Sequence, residues 1–305
     1  MKHAFLIIAH NELRILNILL NMLDDSRNDI YLHLDKKWKL NLHDLYFPQR
    51  ANLFFVRRMD VRWGDISLIK LEFKLFRMAY ENGPYMYYHL LSGVDLPIKS
   101  QDYIHEFFKK NYGKEFIGFA QGEENEIDCY NKVMKFHLFS RHIQSSNMFL
   151  VNCRTRLENI LNKYLKRNSS IPFRKGTNWI SITNECCKYI LNKEKSILKR
   201  FKFTICGDEI FLQTIVYNSS FYEKCYNISD EYVSNQREID WKRGNPYNWT
   251  LEDKDILLRS DKIFARKIIG KNMDLALYIQ NKIGICNRLL LNILQVISQK
   301  YGLNL

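Results

Sequence analysis

Gly207, Asp208 and Glu209 stand at the mouth of a segment whose apolar face is Ile210, Phe211, Thr214 and Ile215. A carboxylate fixed at the start of a helix can take a proton from a hydroxyl, which makes Glu209 a candidate general base. The same position suits a carboxylate that only complements the helix dipole. The triplet alone leaves both roles open.

A second group of chemically capable residues is Arg237, Asp240, Trp241, Lys242, Arg243 and Gly244, followed by Arg259, Arg266 and Lys267. Such a run reads as a solvated basic face, as a nucleic-acid contact, or as cations fixed where a leaving pyrophosphate builds up charge. No zinc-finger, RRM or basic-zipper pattern accompanies it. Asp253 and Asp255 make an Asp-x-Asp pair, but they sit in what reads as a charged helix start, and a hard cation needs several convergent oxygens. The pair is read as a chance match. The Gly-rich phosphate loops GxGxxG and GxxxxGK[ST] are absent.

Composition bounds the setting in which these residues act. The chain has 305 residues, 46% of them hydrophobic, with 12 Gly, 5 Pro and a formal net charge of +13. That describes an ordinary globular protein attracted to anions, whether nucleic acid, an anionic membrane or a phosphorylated substrate. Its seven cysteines include no CxxC pair, so neither a zinc site nor a full disulfide framework is indicated. The apolar run Ala4 to Ile8 is too short for a signal h-region, and no window is long enough to span a bilayer. Lys282 to Leu305 has near-helical apolar spacing and fits a helix packing on its own core or lying on a membrane.

Positioning falls to an alternation of strands and helices. Ala4–Ala9 reads as a buried strand, Glu12–Leu23 as a helix and Asp29–Leu34 as a second strand, a right-handed β-α-β opening. The C-terminal ends of both strands, near His10 and Asp35, then face one crevice, where open α/β sheets bind ligands. Further strands are expected at Leu53–Val56, Tyr85–Leu91, Phe116–Phe119 and Trp179–Ile182. Helices are expected at Ser67–Asn82, Gln101–Phe108 (capped by Ser100), Glu185–Asn192 and Asp208–Val216, with a helical middle over 125–168.

These segments, in order, carry a resemblance. FLIIAH (Phe5–His10), YLHLDKK (Tyr31–Lys37), RWGDISLI (Arg62–Ile69), YYHLLSGVDLPIKS (Tyr87–Ser100), EFIGF (Glu115–Phe119), GTNWISIT (Gly176–Thr183), GDEIFLQT (Gly207–Thr214), REIDW with GNP (Arg237–Pro246) and FARK (Phe264–Lys267) resemble the core-2/I-branching β-1,6-N-acetylglucosaminyltransferase family, which includes the peptide O-xylosyltransferases.

The resemblance implies a GT-A type α/β fold with a mostly parallel central sheet flanked by helices. A catalytic domain over 1–236 would be followed by an extension over 237–305 that completes the diphosphate site. It implies inversion without a metal or other cofactor, a UDP-sugar donor carrying N-acetylglucosamine or xylose, and a glycan or lipid-linked acceptor. Glu209 maps onto the family's base. Lys267, with Arg237 or Arg243, maps onto the cations at the leaving diphosphate, His10 and Asp35 onto the nucleotide end, and Asp95 and Trp179 onto the sugars. Against these stand plainer roles: a structural histidine, a turn at Ser92–Pro97, and a tryptophan that only packs. The chain lacks the Golgi-type anchor and stem, which suits a cytoplasmic enzyme of surface-glycan synthesis resting at an anionic inner leaflet, with no nucleic-acid partner. The competing class is a non-enzymatic basic protein that binds polyanions or acidic glycan.

Overall fold

A computed structural model describes residues 1–138, 140–142, 147–165, 167, 169 and 171–284. The chain opens with β1 (His3–Ala9), α1 (Leu13–Met22), β2 (Asn28–Leu34) and β3 (Asn52–Val56). Next come α2 (Ser67–Asn82), β4 (Tyr87–Ser92), β5 (Asp95–Pro97) and α3 (Gln101–Lys110). The middle holds α4 (Glu123–Met134), α5 (Met148–Tyr164), β6 (Ser181–Thr183), α6 (Asn184–Asn192) and α7 (Glu194–Arg200). A 3-10 turn at Gly207–Glu209 leads into α8 (Phe211–Tyr217), then α9 (Glu231–Asn235), β7 (Arg237–Ile239), α10 (Lys254–Arg259) and β8 (Phe264–Arg266).

The main sheet has the order β3-β2-β1-β4-β6. Its first four strands are parallel and β6 is antiparallel to β4, so the architecture is α/β with a mostly parallel sheet. Every residue of β1 and β2 is buried, as strands covered on both faces must be. Alternation along β1 divides the core: Ala4, Leu6 and Ile8 face one cluster with Ile69, Phe73 and Phe211, while Phe5, Ile7 and Ala9 face another with Leu16, Leu19 and Phe264.

Helix ends follow local chemistry. Ser100 accepts from the Tyr103 amide at 3.2 Å and Thr183 from the Cys186 amide at 3.3 Å, each satisfying a donor that the helix leaves free. Phe116–Phe119, expected as a strand, is reduced to isolated bridges at Glu115 and Phe116. Three short strands were not foreseen: β5, β8 and β7 form a second sheet in that order. Arg237, which opens the expected extension, and Asp95 from the first part of the chain both lie in it.

No helix among the described residues is long and apolar enough to cross a membrane. Residues 273–284 are helical, and the rest of the amphipathic stretch expected over 282–305 lies outside the described residues. The six cysteines among the described residues are free.

Candidate active site

Glu209 closes the turn Gly207–Glu209, entered through Cys206 in the left-handed conformation. The turn is pinned from outside: the Gly176 amide donates to the Glu209 carbonyl at 2.9 Å and the Cys206 amide to the Gly64 carbonyl at 3.0 Å. With its backbone fixed, Glu209 presents its carboxylate to a cleft of about 560 Å3 that is also lined by Lys175, Thr177, Glu231, Tyr232 and Trp241.

Two glycines, of which Gly176 lines the cleft, allow close packing beside it. A Cβ on Gly176 would collide with the Gly118 carbonyl, and one on Gly118 with the Glu231 carbonyl. The glycines of EFIGF and GTNW thus let three backbone segments approach closely.

A charge chain holds the carboxylate. Lys132 Nζ lies 3.3 Å from Glu209 Oε2 and 2.9 Å from Asp128 Oδ2, which also takes Lys175 Nζ at 2.6 Å. Burial works against the Lys132 charge, but Asp128 and Glu209 more than offset it, so the ammonium is held above its usual pKa. Lys132 comes from α4, and no motif in the sequence pointed to it.

Behind the turn lie two further carboxyl groups. Glu72 of α2 is fully buried, and its Oε2 and Asp208 Oδ1 have no hydrogen-bond partner among the described residues. Burial, then the neighbouring Glu209 charge, raises Asp208 to about 7. Burial, then Asp208, carries Glu72 well above the usual carboxylate range.

His10 and Asp35 stand just past the C-terminal ends of β1 and β2. Asp35 accepts from the Lys37 amide at 2.8 Å, the Lys37 ammonium at 3.0 Å and the Val61 amide at 3.1 Å. These bonds outweigh its burial and hold the carboxylate below its usual range. His10, exposed just past β1, is lowered by the hydration it loses to surrounding protein, against the pull of Asp35 and with Lys37 and Arg266 reinforcing the effect.

Arg266, part of the basic group and of FARK but given no role from the sequence, joins the two regions. Its guanidinium pairs with Asp95 at 2.8 Å and lies 4.2 Å from the centroid of the Trp179 ring. Trp179 is two residues beyond Thr177, which lines the Glu209 cleft. Lys267 follows Arg266, its carbonyl accepting from the Trp249 amide at 3.1 Å.

Three expectations need correction. Arg237 is fully buried and cannot meet a diphosphate: it donates to Ser181 Oγ at 3.0 Å, the Ile180 carbonyl at 2.8 Å and the Asn235 carbonyl. Burial pulls its guanidinium down to about 9, with Asp95 opposing. Arg243 is committed to Asp240 at 2.5 Å and Asp253 at 2.7 Å, and its guanidinium lies 4.0 Å from the Tyr247 ring centroid. It clamps its own loop. Asp95 is fully buried, accepting from Arg266 and from the Ser92 amide at 2.7 Å, so it supports the site from behind instead of touching sugar. Trp179 is half-buried with the Arg266 guanidinium over its ring, whereas Trp241 is 45% exposed and lines the cleft.

Comparison with known proteins gives this arrangement its class. The family model for the Core-2/I-Branching enzyme matches residues 3–256. Xylosyltransferase oxt of Drosophila pseudoobscura pseudoobscura is 23% identical over 294 residues, covering 87% of this chain and 31% of the fly protein. Its Drosophila melanogaster counterpart is 24% identical over 255 residues, covering 79% of this chain and 26% of that protein. The chain thus spans under a third of the length of these curated relatives. The crystal structure of mouse xyloside xylosyltransferase 1, apo form, aligns with a TM-score of 0.39 at 11% identity, covering 87% of this chain and 96% of that one. The chain belongs to the Core-2/I-branching enzyme family.

Proposed function

We propose that the chain is an inverting, metal-independent transferase that moves a sugar, N-acetylglucosamine or xylose, from a UDP-sugar to a glycan hydroxyl. The observation that carries this reading is Glu209, fixed by its backbone and held by Lys132 on the wall of an open cleft. In the proposed step the acceptor oxygen attacks the anomeric carbon while its proton passes to Glu209. The bond from that carbon to the diphosphate oxygen breaks, and UDP departs with the electron pair from the opposite face. Lys267 offsets the charge that builds on the diphosphate, while His10 and Asp35 receive the nucleoside. Trp241 offers an aromatic face to the acceptor sugar.

The basic surface, with its net charge of +13, supports work on a lipid-linked or other surface glycan at the cytoplasmic face of an anionic membrane.

A thermal-shift series with UDP, GDP, CMP and their sugar conjugates, in EDTA and then with manganese, tests the donor. Stabilisation by UDP or a UDP-sugar in EDTA is expected, and a strict need for manganese would overturn the metal-free step. Glu209→Gln should lose turnover by at least about a hundredfold while the donor still stabilises it. Unchanged turnover would remove Glu209 from the reaction.

A further inference from the structure

A second cleft, of about 550 Å3, lies at the other end of α8, where Thr214, Ile215 and Asn218 form one wall. Its remaining lining includes Arg167, Lys193, Lys199 and Arg200, and no carboxylate. Glu194, next to Lys193 in sequence, is engaged by Arg77. None of the four cations makes an ion pair among the described residues, and none of the residues outside them is Asp or Glu.

The cations are nonetheless held in place. Arg167 donates to the Phe203 carbonyl at 3.3 Å and to the Arg200 carbonyl. Arg200 lies 5.9 Å from the Phe173 ring centroid and Lys193 5.1 Å from that of Tyr189. Burial, then repulsion from Arg200, lowers the Arg167 pKa, the sign of converging charges without a counter-ion.

We propose that this cleft is a second binding site, for a phosphate-bearing group. Guanidinium forks match phosphate oxygens, and two lysines supply further charge at the rim. The volume falls in the range of small-molecule sites, so the ligand is a phosphate attached to a larger unit. Two sources carry that chemistry: a phosphorylated saccharide and a phospholipid headgroup. The site is separate from the Glu209 cleft and does not depend on the transfer reaction.

Calorimetric titration of the full chain with glucose 6-phosphate, with glucose as the neutral control, probes the first source. Co-sedimentation with phosphatidylglycerol vesicles against phosphatidylcholine vesicles probes the second. Lys193→Gln/Lys199→Gln, at exposed positions, should weaken whichever probe binds by about tenfold, and Arg167→Gln/Arg200→Gln by at least as much. Lys109→Gln/Lys110→Gln on α3 removes the same charge elsewhere and should weaken it by less than about twofold. Failure of both probes to bind saturably overturns the proposal, and so does an equal loss in the α3 pair. If the arginine pair fails to fold, the lysine pair still decides. Stabilisation by UDP-sugar, unaffected in all these variants, keeps this test apart from that of the transferase reading.

Discussion

Lys132 Nζ stands 3.3 Å from Glu209 Oε2, and the two residues are 77 positions apart in the chain. Lys132 is a positioning residue: anchored to Asp128, it fixes where the carboxylate points. Lys132→Met should lower kcat by about tenfold with the donor KM unchanged. Asp128→Asn should do the same, and the double variant should lose less than the product of the two, a coupling of at least about 0.5 kcal/mol in a double-mutant cycle. Full additivity would mean that the chain Asp128–Lys132–Glu209 does not act as a unit.

The buried Arg237 predicts a stability effect. Arg237→Met leaves the Ile180 and Asn235 carbonyls without that donor and should cost about 3 kcal/mol in denaturant unfolding, with donor affinity unchanged in the folded fraction. Lys267→Ala should show the converse, a donor KM raised by about tenfold at unchanged stability. An equal donor defect in folded Arg237→Met would return Arg237 to the diphosphate site.

Arg266 and Asp95 are a pair with side chains 16% and 0% exposed. Either Arg266→Ala or Asp95→Ala strands its partner and should destabilise the protein by about 3–5 kcal/mol. The double variant should recover part of that loss. Arg266→Ala should also free the Trp179 ring, read as a change in tryptophan emission that Asp95→Asn does not reproduce.

Glu115 should contribute a loss of stability as pH rises from about 4.5 to 7, against His3, His33, His89 and His105, whose pKa values are lowered by burial and which act oppositely up to about 6.5. Glu115, fully buried, is raised to about 7 by burial, against the bonds that Thr183 donates to it. Between its unfolded and folded pKa values the native state therefore binds more protons than the unfolded chain. Each such group lowers stability by at most about 1.4 kcal/mol per pH unit in that window and contributes no slope above it. Asp208, also raised to about 7, adds in the same direction. Asp25, held at about 2 by Arg27 in spite of burial, acts oppositely but only below about pH 4. Unfolding curves of the wild type and Glu115→Gln at pH 5, 6, 7 and 8 should show the wild type losing stability relative to the variant up to about pH 7, and parallel curves would locate the titrating group elsewhere.

Much of the fold was legible because its elements are long and periodic. Ser67–Asn82 runs as a helix over the expected span because Ile69, Phe73 and Phe76 recur at helical intervals, and β1 is marked by an unbroken apolar run. The second sheet was not legible, since strands of three residues carry too little pattern to stand out. That omission explains the misplacement of Arg237. Arg237 and Arg266 lie on neighbouring parallel strands, with Arg237 opposite Phe264 and Arg266 opposite Ile239. Only that register shows which guanidinium is buried and which reaches Trp179. The turn bearing Glu209 was visible in sequence, whereas Lys132 was not, because only tertiary packing brings α4 to it.

The second sheet also sets an order of events during synthesis. Asp95 on β5 must wait for Arg266 on β8, 171 residues later. At roughly 5–20 residues per second, that is on the order of ten to thirty seconds of elongation. Until then β5 has an open edge and Asp95 lacks its cation, so the emerging chain holds its N-terminal strands long before the pocket they serve can close. A nascent chain stalled in that interval would present an unpaired strand to its neighbours, a hazard that disappears when FARK leaves the ribosome.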